Sequence, residues 1–451
     1  MRTWKIMNSR ILVALQRIPG RAAILCLFLF GLVLPAHAEL DIVEVTSPKG
    51  IKAWLVEDPS DPVVALSFAF VGGSNQEPKG KEGLVGMMVS LLTNGASDLD
   101  SDTFQRRLYE TGADLSFGAG NDTVGGSLRV LAGETEEPLK LLSLAVTAPR
   151  FDEDEFARER TAAISRIRSD SNDPDERGQR ELASVLYGDH PLARQATAES
   201  LAKLTRDDLA AYHQKLFARS NLIVGVVGAI DPETLGRMLD QVFGDLPEKA
   251  DLMDVPPPTL KLGQEVRETY DRPQTSIAMV YPGVAATSPE LYPATLLAEI
   301  LGGGGLTSRL FMELREKRGL TYGAGADLDS GMDWGDLSIY VSTSGDRAAE
   351  TLKVTREVVA RMAAEGPTQE ELDSAKKYLI GSYALGQLAS TSSIADTLVG
   401  LQRLGRSKDY VEERVDLINA VTLDEVKAMA KRLLSTEPTV LIVGPESKAA
   451  D

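Results

Sequence analysis

The most informative stretch of the sequence reads ILGGGGLTSRLFMELREKRGLTY and runs from Ile300 to Tyr322. Near its start stand four consecutive glycines, Gly302, Gly303, Gly304 and Gly305. Because glycine has no Cβ, such a run lets another backbone approach closely. A short helical pattern follows and carries Arg315, seven residues before Tyr322. An arginine and a tyrosine at this spacing have no specific meaning alone, so the rest of the chain must give them a context.

The chain contains an internal repeat. Each half has an apolar strand that ends in glycine, a strand entry with alternating glycines, a Thr followed three residues later by an acid, and a final apolar strand. The Thr and the acid have the capping-box spacing that predicts the start of a helix. The matching segments are 63–73 and 274–283, 117–120 and 322–325, 205–208 and 422–425, and 222–228 and 440–444. Four features in the same order indicate a duplication. Short strands that alternate with runs of helices predict an α+β fold, in which each half is a sheet with helices on one face.

Three consecutive prolines at 256–258 mark the boundary between the halves. Proline donates no backbone hydrogen bond and stiffens an extended chain, so this region cannot continue a helix or a central strand. We therefore predict an N-terminal domain at 39–246, a Pro-rich linker at 247–262 and a C-terminal domain at 263–451.

The first 38 residues have the pattern of a secretory signal. They contain five basic residues and no acidic one, then an apolar run from Ala22 to Leu34 and an Ala-His-Ala end at 36–38. This pattern predicts a cleavable signal peptide at 1–38 and export to a periplasm. An uncleaved anchor is the weaker alternative, because the apolar run is shorter than the roughly 20 residues of a membrane span. The only cysteine, Cys26, would leave with the signal, so the mature chain cannot form a disulfide.

The mature chain would be strongly acidic. The full sequence has 48 Lys and Arg residues against 66 Asp and Glu residues, and loss of the five basic residues in 1–38 leaves a net charge of −23. Long-range repulsion makes nucleic acid and anionic lipid surfaces poor partners for such a chain. No membrane span is expected in the mature form.

The stretch from Ile300 to Tyr322 resembles the second-half signature of the pitrilysin/insulinase family of zinc peptidases, the inverzincins, which includes processing peptidase. The resemblance implies two homologous domains of the processing-peptidase/LuxS-like metallohydrolase type, each a mostly antiparallel sheet with helices on one face. It also implies that Arg315 and Tyr322 are catalytic residues that donate hydrogen bonds to the substrate backbone and to the oxyanion. The glycines Gly302 to Gly305 would bind an extended peptide substrate.

The zinc motif that accompanies this signature in the family is missing. The motif is His-x-x-Glu-His on a helix, with both His as ligands and the Glu as general base. The flanks match around 83–96, but Gly86, Val89 and Ser90 stand at the His, Glu and His positions. Arg166 stands where the family has a third ligand, and a cation there would repel zinc. Two histidines remain in the mature chain and are predicted to be structural, His190 and His213.

The resemblance therefore implies a chain that binds no metal itself and is inactive alone. It would be the non-zinc subunit of a periplasmic pitrilysin-type metallopeptidase, paired as a heterodimer with a zinc-bearing subunit of the same family. In that complex it would hold an extended peptide and stabilise the transition state. Two alternatives stay open, which are a structural relative of processing peptidase without catalytic function and a self-sufficient peptidase with an unrecognised metal site.

Overall fold

The computed structural model of the protein describes residues 40–446, so the predicted signal peptide at 1–38 and Cys26 lie outside the described residues. The first of its two sheets contains six strands: β1 (Ile42–Thr46), β2 (Lys52–Glu57), β3 (Val63–Val71), β4 (Asp114–Ala119), β5 (Thr123–Leu131) and β6 (Leu222–Gly228). The strand order is β1-β2-β6-β3-β5-β4, and only the β2–β6 pair is parallel.

The second sheet repeats this topology. It contains β7 (Glu265–Thr269), β8 (Gln274–Pro282), β9 (Thr321–Ser330), β10 (Gly335–Ser344) and β11 (Thr439–Gly444). The order β7-β11-β8-β10-β9 corresponds strand for strand to β2-β6-β3-β5-β4, including one parallel pair, β7–β11. The predicted α+β fold with two homologous, mostly antiparallel sheets is thus confirmed.

Helices connect the strands in both halves. Those before residue 247 are α1 (Leu84–Ser90), α2 (Ser101–Thr111), α3 (Glu136–Thr147), α4 (Glu153–Asp170), α5 (Pro174–Tyr187), α6 (Ala198–Lys203), α7 (Arg206–Leu216) and α8 (Pro232–Phe243). Those after residue 262 are α9 (Leu291–Ala298), α10 (Arg309–Phe311), α11 (Ala348–Glu365), α12 (Gln369–Gln387), α13 (Thr391–Arg403), α14 (Tyr410–Ala420) and α15 (Leu423–Leu434).

Matching caps begin the helix that precedes the last strand of each half. At α7 the Thr205 hydroxyl accepts from the Asp208 N–H, and the Asp208 carboxylate accepts from the Thr205 N–H. Thr422 and Glu425 make the same reciprocal pair at α15. These capping boxes satisfy N–H groups that a helix start leaves free. The predicted helix starts are therefore confirmed in both halves.

Each sheet covers a separate core with its inner face. In the first half Phe68 and Phe70 of β3 pack with Phe243 of α8 and Phe217. In the second half the inward side chains of β10, such as Ile339, pack with residues of α9, α11 and α15. The outward residues of β10 are mostly polar, which gives the period-2 alternation of a strand with one buried face.

Each half also contributes one helix to the outer face of the other half's sheet. Helix α5 packs on β7 and β11, and α13 packs on β3 and β6. Glycines allow the close approach: a Cβ on Gly178 of α5 would lie 2.7 Å from Val443 Cγ2, and one on Gly225 of β6 would lie 2.6 Å from the Ala395 carbonyl. Because both faces are covered, β3 and β11 are buried at nearly every position.

Charged pairs accompany this exchange. The Arg177 guanidinium of α5 binds Glu268 of β7 at 2.5 Å. Arg272, between β7 and β8, donates to both carboxylate oxygens of Asp175 in α5, at 2.5 and 2.8 Å. A bidentate arginine–carboxylate pair has a fixed geometry. These contacts orient α5 on the second sheet.

The segment predicted as the linker, 247–262, contains neither helix nor strand. The His190 ring nitrogen Nε2 lies 2.9 Å from the carbonyl of Pro256 in this segment. The domain boundaries themselves stay a prediction. Within residues 40–446, no helix has the length and apolar character that crossing a membrane requires.

Candidate active site

Arg315 and Tyr322 lie next to each other at the end of the second sheet. Helix α10 continues into a π-helical turn at Met312–Glu316, which carries Arg315. The guanidinium stacks over the Phe311 ring, 5.1 Å from its centroid, and its Nη1 donates to the Tyr322 carbonyl at 2.5 Å. Arg315 therefore fixes the backbone of Tyr322, and its remaining N–H groups can bind a ligand.

Tyr322 occupies an irregularity in the β9–β10 ladder. Gly323 pairs with Ser342 and Thr321 pairs with Thr343, so Tyr322 is an extra residue without a partner. Such a bulge bends the strand and re-aims a side chain, and bulges concentrate beside functional sites. The Tyr322 side chain is 86% exposed. Its hydroxyl is thus free to donate a hydrogen bond to a ligand.

An ionic cluster anchors the turn that carries Arg315. The carboxylate of Glu313 binds Lys317 at 2.6 Å and Arg318 at 2.5 Å, and lies 3.5 Å from Arg361 of α11. Hydrogen bonds from Lys317 and Arg318 lower the pKa of Glu313 to about 2. The turn is therefore held to α11 by a carboxylate that stays ionised.

The four glycines lie in a π-helical turn that continues α9 and in the loop after that turn. A π-helical turn covers Glu299–Gly303, and Gly305 has a φ of 56°, the left-handed region that favours glycine. A Cβ on Gly302 would lie 2.2 Å from the backbone nitrogen of Ala326 in β9. The missing side chain at Gly302 thus allows this turn to pack against β9, while Gly303 and Gly305 border a cavity of about 520 Å³.

The positions of the lost zinc motif come together on α1 and α4, which contact each other. Gly86 and Ser90 are exposed on one face of α1, and Val89 is partly buried against the core. Ser90 Oγ donates to the Met87 carbonyl at 3.0 Å, and Arg166 of α4 donates to Glu159 at 2.6 Å. These side chains offer no set of zinc ligands.

No other metal centre is evident in residues 40–446, where no cluster of three or more His, Cys, Asp or Glu side chains could hold an ion. His213 is buried, stacks on Phe217, and its Nε2 lies 3.0 Å from the Val146 carbonyl. Burial lowers the pKa of His213 to about 4, so this ring is neutral near pH 7. Both histidines of the described chain bond to backbone carbonyls, as expected of structural residues.

Glu77 supports α1, and the sequence pattern did not single it out. The N-cap residue of α1 is Gly83, which has no side chain to cap the helix. The buried Glu77 carboxylate accepts from the N–H groups of Gly83 at 3.0 Å and Val85 at 2.7 Å. Burial raises the pKa of Glu77 to about 7. The only sequence signal is an acid shortly before a helix without a capping side chain.

Glu299 makes the stability of the protein depend on pH. A Cβ on Gly303 would lie 2.7 Å from the Glu299 carboxylate, and burial raises the pKa of this carboxyl from an ordinary 4.5 to about 7. Between these pH values the folded protein holds the proton more tightly than the unfolded chain does. The free energy of unfolding therefore falls as the pH rises through this window.

Glu299→Gln, which removes this titration, should be more stable than the unsubstituted protein above pH 7. We expect its free energy of unfolding to be higher by roughly 1 kcal/mol at pH about 8, after allowance for solvent around a half-exposed group, and to differ little at pH about 4.5. Urea unfolding at both pH values measures this difference. Because Glu77 titrates in both proteins, the difference isolates Glu299. The exposed Glu370→Gln is the control, and a Glu299→Gln protein that is less stable at high pH would contradict the expectation.

Comparisons with known proteins match this architecture. A family model described as Insulinase (Peptidase family M16) matches residues 52–199, and one described as Peptidase M16 inactive domain matches residues 203–379. A protein named as an uncharacterized zinc protease of Mycobacterium leprae is 26% identical over 421 residues, which are 90% of this chain and 92% of that protein.

Solved structures show the same fold. The crystal structure of a peptidase M16 inactive domain from Pseudomonas fluorescens is 28% identical, with a TM-score of 0.85 over 91% of this chain and 100% of that one. A protease from Helicobacter pylori shares the fold at 19% identity, with a TM-score of 0.79 over 90% of this chain and 100% of that one. The repeated sheets, the signature with Arg315 and Tyr322, and the two family models agree, and the chain belongs to the pitrilysin/insulinase family, peptidase family M16.

Proposed function

We propose that this chain is the non-zinc subunit of an exported metallopeptidase complex. It holds an extended peptide beside Tyr322 and donates hydrogen bonds to the carbonyl oxygen that becomes negatively charged during hydrolysis. The observation that carries the proposal is the bulge at Tyr322, which presents an exposed side chain while the Arg315 guanidinium, stacked on Phe311, holds the Tyr322 carbonyl. Preorganised donors of this kind are typically worth about 3–4 kcal/mol each in the transition state.

The metal and the activated water would come from a partner of the same family with an intact His-x-x-Glu-His. Gly86, Val89, Ser90 and Arg166 cannot supply them, because no carboxylate or imidazole stands at these positions. The relative from Mycobacterium leprae is named a zinc protease. The pattern at 1–38 supports an exported, periplasmic complex.

The decisive experiment compares the mature chain alone with the chain bound to a co-purifying partner. We expect zinc-dependent peptide cleavage only for the pair, and a loss of at least about 100-fold when Arg315→Ala and Tyr322→Phe are combined. Tyr109→Phe is a matched control, since Tyr109 is also 86% exposed but lies on α2 in the first half. Undiminished cleavage by the double variant would refute the proposal.

A second candidate function, a structural role without catalysis, is favoured by one observation. The Arg315 guanidinium donates to the Tyr322 carbonyl, so both residues also stabilise the end of β9. A scaffold predicts that Tyr322→Phe, which keeps that backbone bond, changes no rate of hydrolysis in any assembly that contains the chain.

A further inference from the structure

The cavity beside the glycine segment lies on the outer face of the second sheet and is bordered on one side by the other half. Its floor is formed by β8, β9 and β10, and Asp175 and Gln179 of α5 form one wall. On β9, Gly325 and Asp327 face outward opposite Tyr340 and Ser338 of β10. With a volume of about 520 Å³, the cavity is large enough for a long side chain of a bound peptide.

The charge of this cavity comes from one carboxylate. Two acids line it, Asp175 and Asp327, and no basic side chain of the described chain does. The bidentate bond from Arg272 lowers the pKa of Asp175 and neutralises its charge locally. Asp327 has no salt-bridge partner within residues 40–446 and is exposed. The cavity is therefore an anionic environment with an unpaired carboxylate.

An aromatic ring lies beside that carboxylate. The Tyr340 ring crosses over Gly325, where a Cβ would lie 2.4 Å from the ring atom Cζ, and it remains 48% exposed. Burial raises the pKa of Tyr340, and the nearby Asp327 carboxylate raises it further. A carboxylate next to an exposed aromatic face is a combination that attracts an ammonium or guanidinium group.

We propose that this cavity is a subsite that selects a lysine or arginine side chain of an extended peptide, with Asp327 as the anion and Tyr340 as the aromatic wall. The inference rests on the proposed function, because it needs a peptide at Tyr322. Asp327 follows Tyr322 by five residues of β9, which is about 16 Å at the usual strand rise. The preferred basic residue is thus about five residues away from the peptide bond that faces Tyr322.

Binding of short, unstructured, neutral peptides to the mature chain tests this subsite without any partner. A single lysine moved along the peptide should improve affinity about three- to tenfold over glutamine at one position, and a glutamate there should weaken it. Asp327→Asn should abolish the preference and Asp327→Lys should reverse it. Tyr340→Phe should keep it, while Tyr340→Leu should reduce it. Fluorescence anisotropy at low and high salt measures these ratios.

Asp329→Asn is the matched control, because Asp329 lies two residues further on the same face of β9 but does not line the cavity. The preference of the Asp329→Asn variant for lysine peptides should be unchanged. Equal binding of lysine and glutamine peptides, or a preference that survives Asp327→Asn, would overturn the subsite. Failure of the proposed function has a different signature, which is cleavage by the complex that does not depend on Tyr322.

Discussion

Gly302→Ala should lower the free energy of unfolding by about 2–3 kcal/mol, although it adds one methyl group. The new Cβ would lie 2.2 Å from the Ala326 nitrogen and 2.6 Å from the Gly325 carbonyl carbon. Both contacts are with backbone atoms of β9, which cannot rotate away as the end of a side chain could. The π-helical turn at Glu299–Gly303 and β9 would have to separate, and both contribute residues to the second core.

Urea unfolding of the protein measures this loss, and Gly323→Ala is the control. Gly323 lies on the same strand, its φ is not positive, and a Cβ there meets nothing within 4 Å. We therefore expect a change within about 0.5 kcal/mol for the control. If Gly302→Ala were as stable as the control, the close packing of the turn at Glu299–Gly303 on β9 would be wrong.

The repeat and the helix starts could be predicted from the sequence because they depend on local patterns. The strands 63–71 and 274–282 occupy equivalent places in the two sheets. Thr205 and Thr422 cap their helices as the spacing to the following acid indicates. Such features are determined by the periodicity of apolar residues and by short-range hydrogen bonds, both of which can be recognised in the sequence.

The exchange of helices between the halves could not be predicted, because it depends on long-range packing. The apolar residues of β3 and β11 at nearly every position indicate that both faces are covered. They do not say which helix covers them. Gly178 and Gly225 mark the contacts only once the partner elements are known.

The residue types of the candidate site come from the family resemblance, and their geometry could not be predicted from the sequence. The spacing of Arg315 and Tyr322 singles out the pair by resemblance, yet the bulge that exposes Tyr322 depends on how β9 pairs with β10. The cavity at Asp327 could not be predicted either, because one of its walls is formed by α5, about 150 residues earlier in the sequence. Contacts between distant segments are the part that local patterns do not determine.

Tyr322→Phe in the complex with a zinc-bearing partner should lower kcat by about 100- to 1000-fold and change KM little. The substitution removes only the hydroxyl, and the backbone bond from Arg315 to the Tyr322 carbonyl remains. A donor that acts on the oxyanion contributes mainly in the transition state, which is why kcat carries the loss. Steady-state kinetics on one peptide measures it, with Tyr109→Phe as the control.

Arg315→Ala should lower kcat by at least the same factor. It removes a hydrogen-bond donor to the substrate and also the bond that holds the bulge at Tyr322 in place. Arg315→Lys should recover little, since an ammonium cannot hold the Tyr322 carbonyl and a substrate with the geometry of a planar guanidinium. Because Arg315 also positions Tyr322, the losses of kcat caused by the two single substitutions are not independent. Once Arg315 is absent, the misplaced Tyr322 hydroxyl has less left to contribute, so the double variant should lose less than the product of the single losses. Single losses that multiply would show that Arg315 acts on the substrate alone and does not position Tyr322.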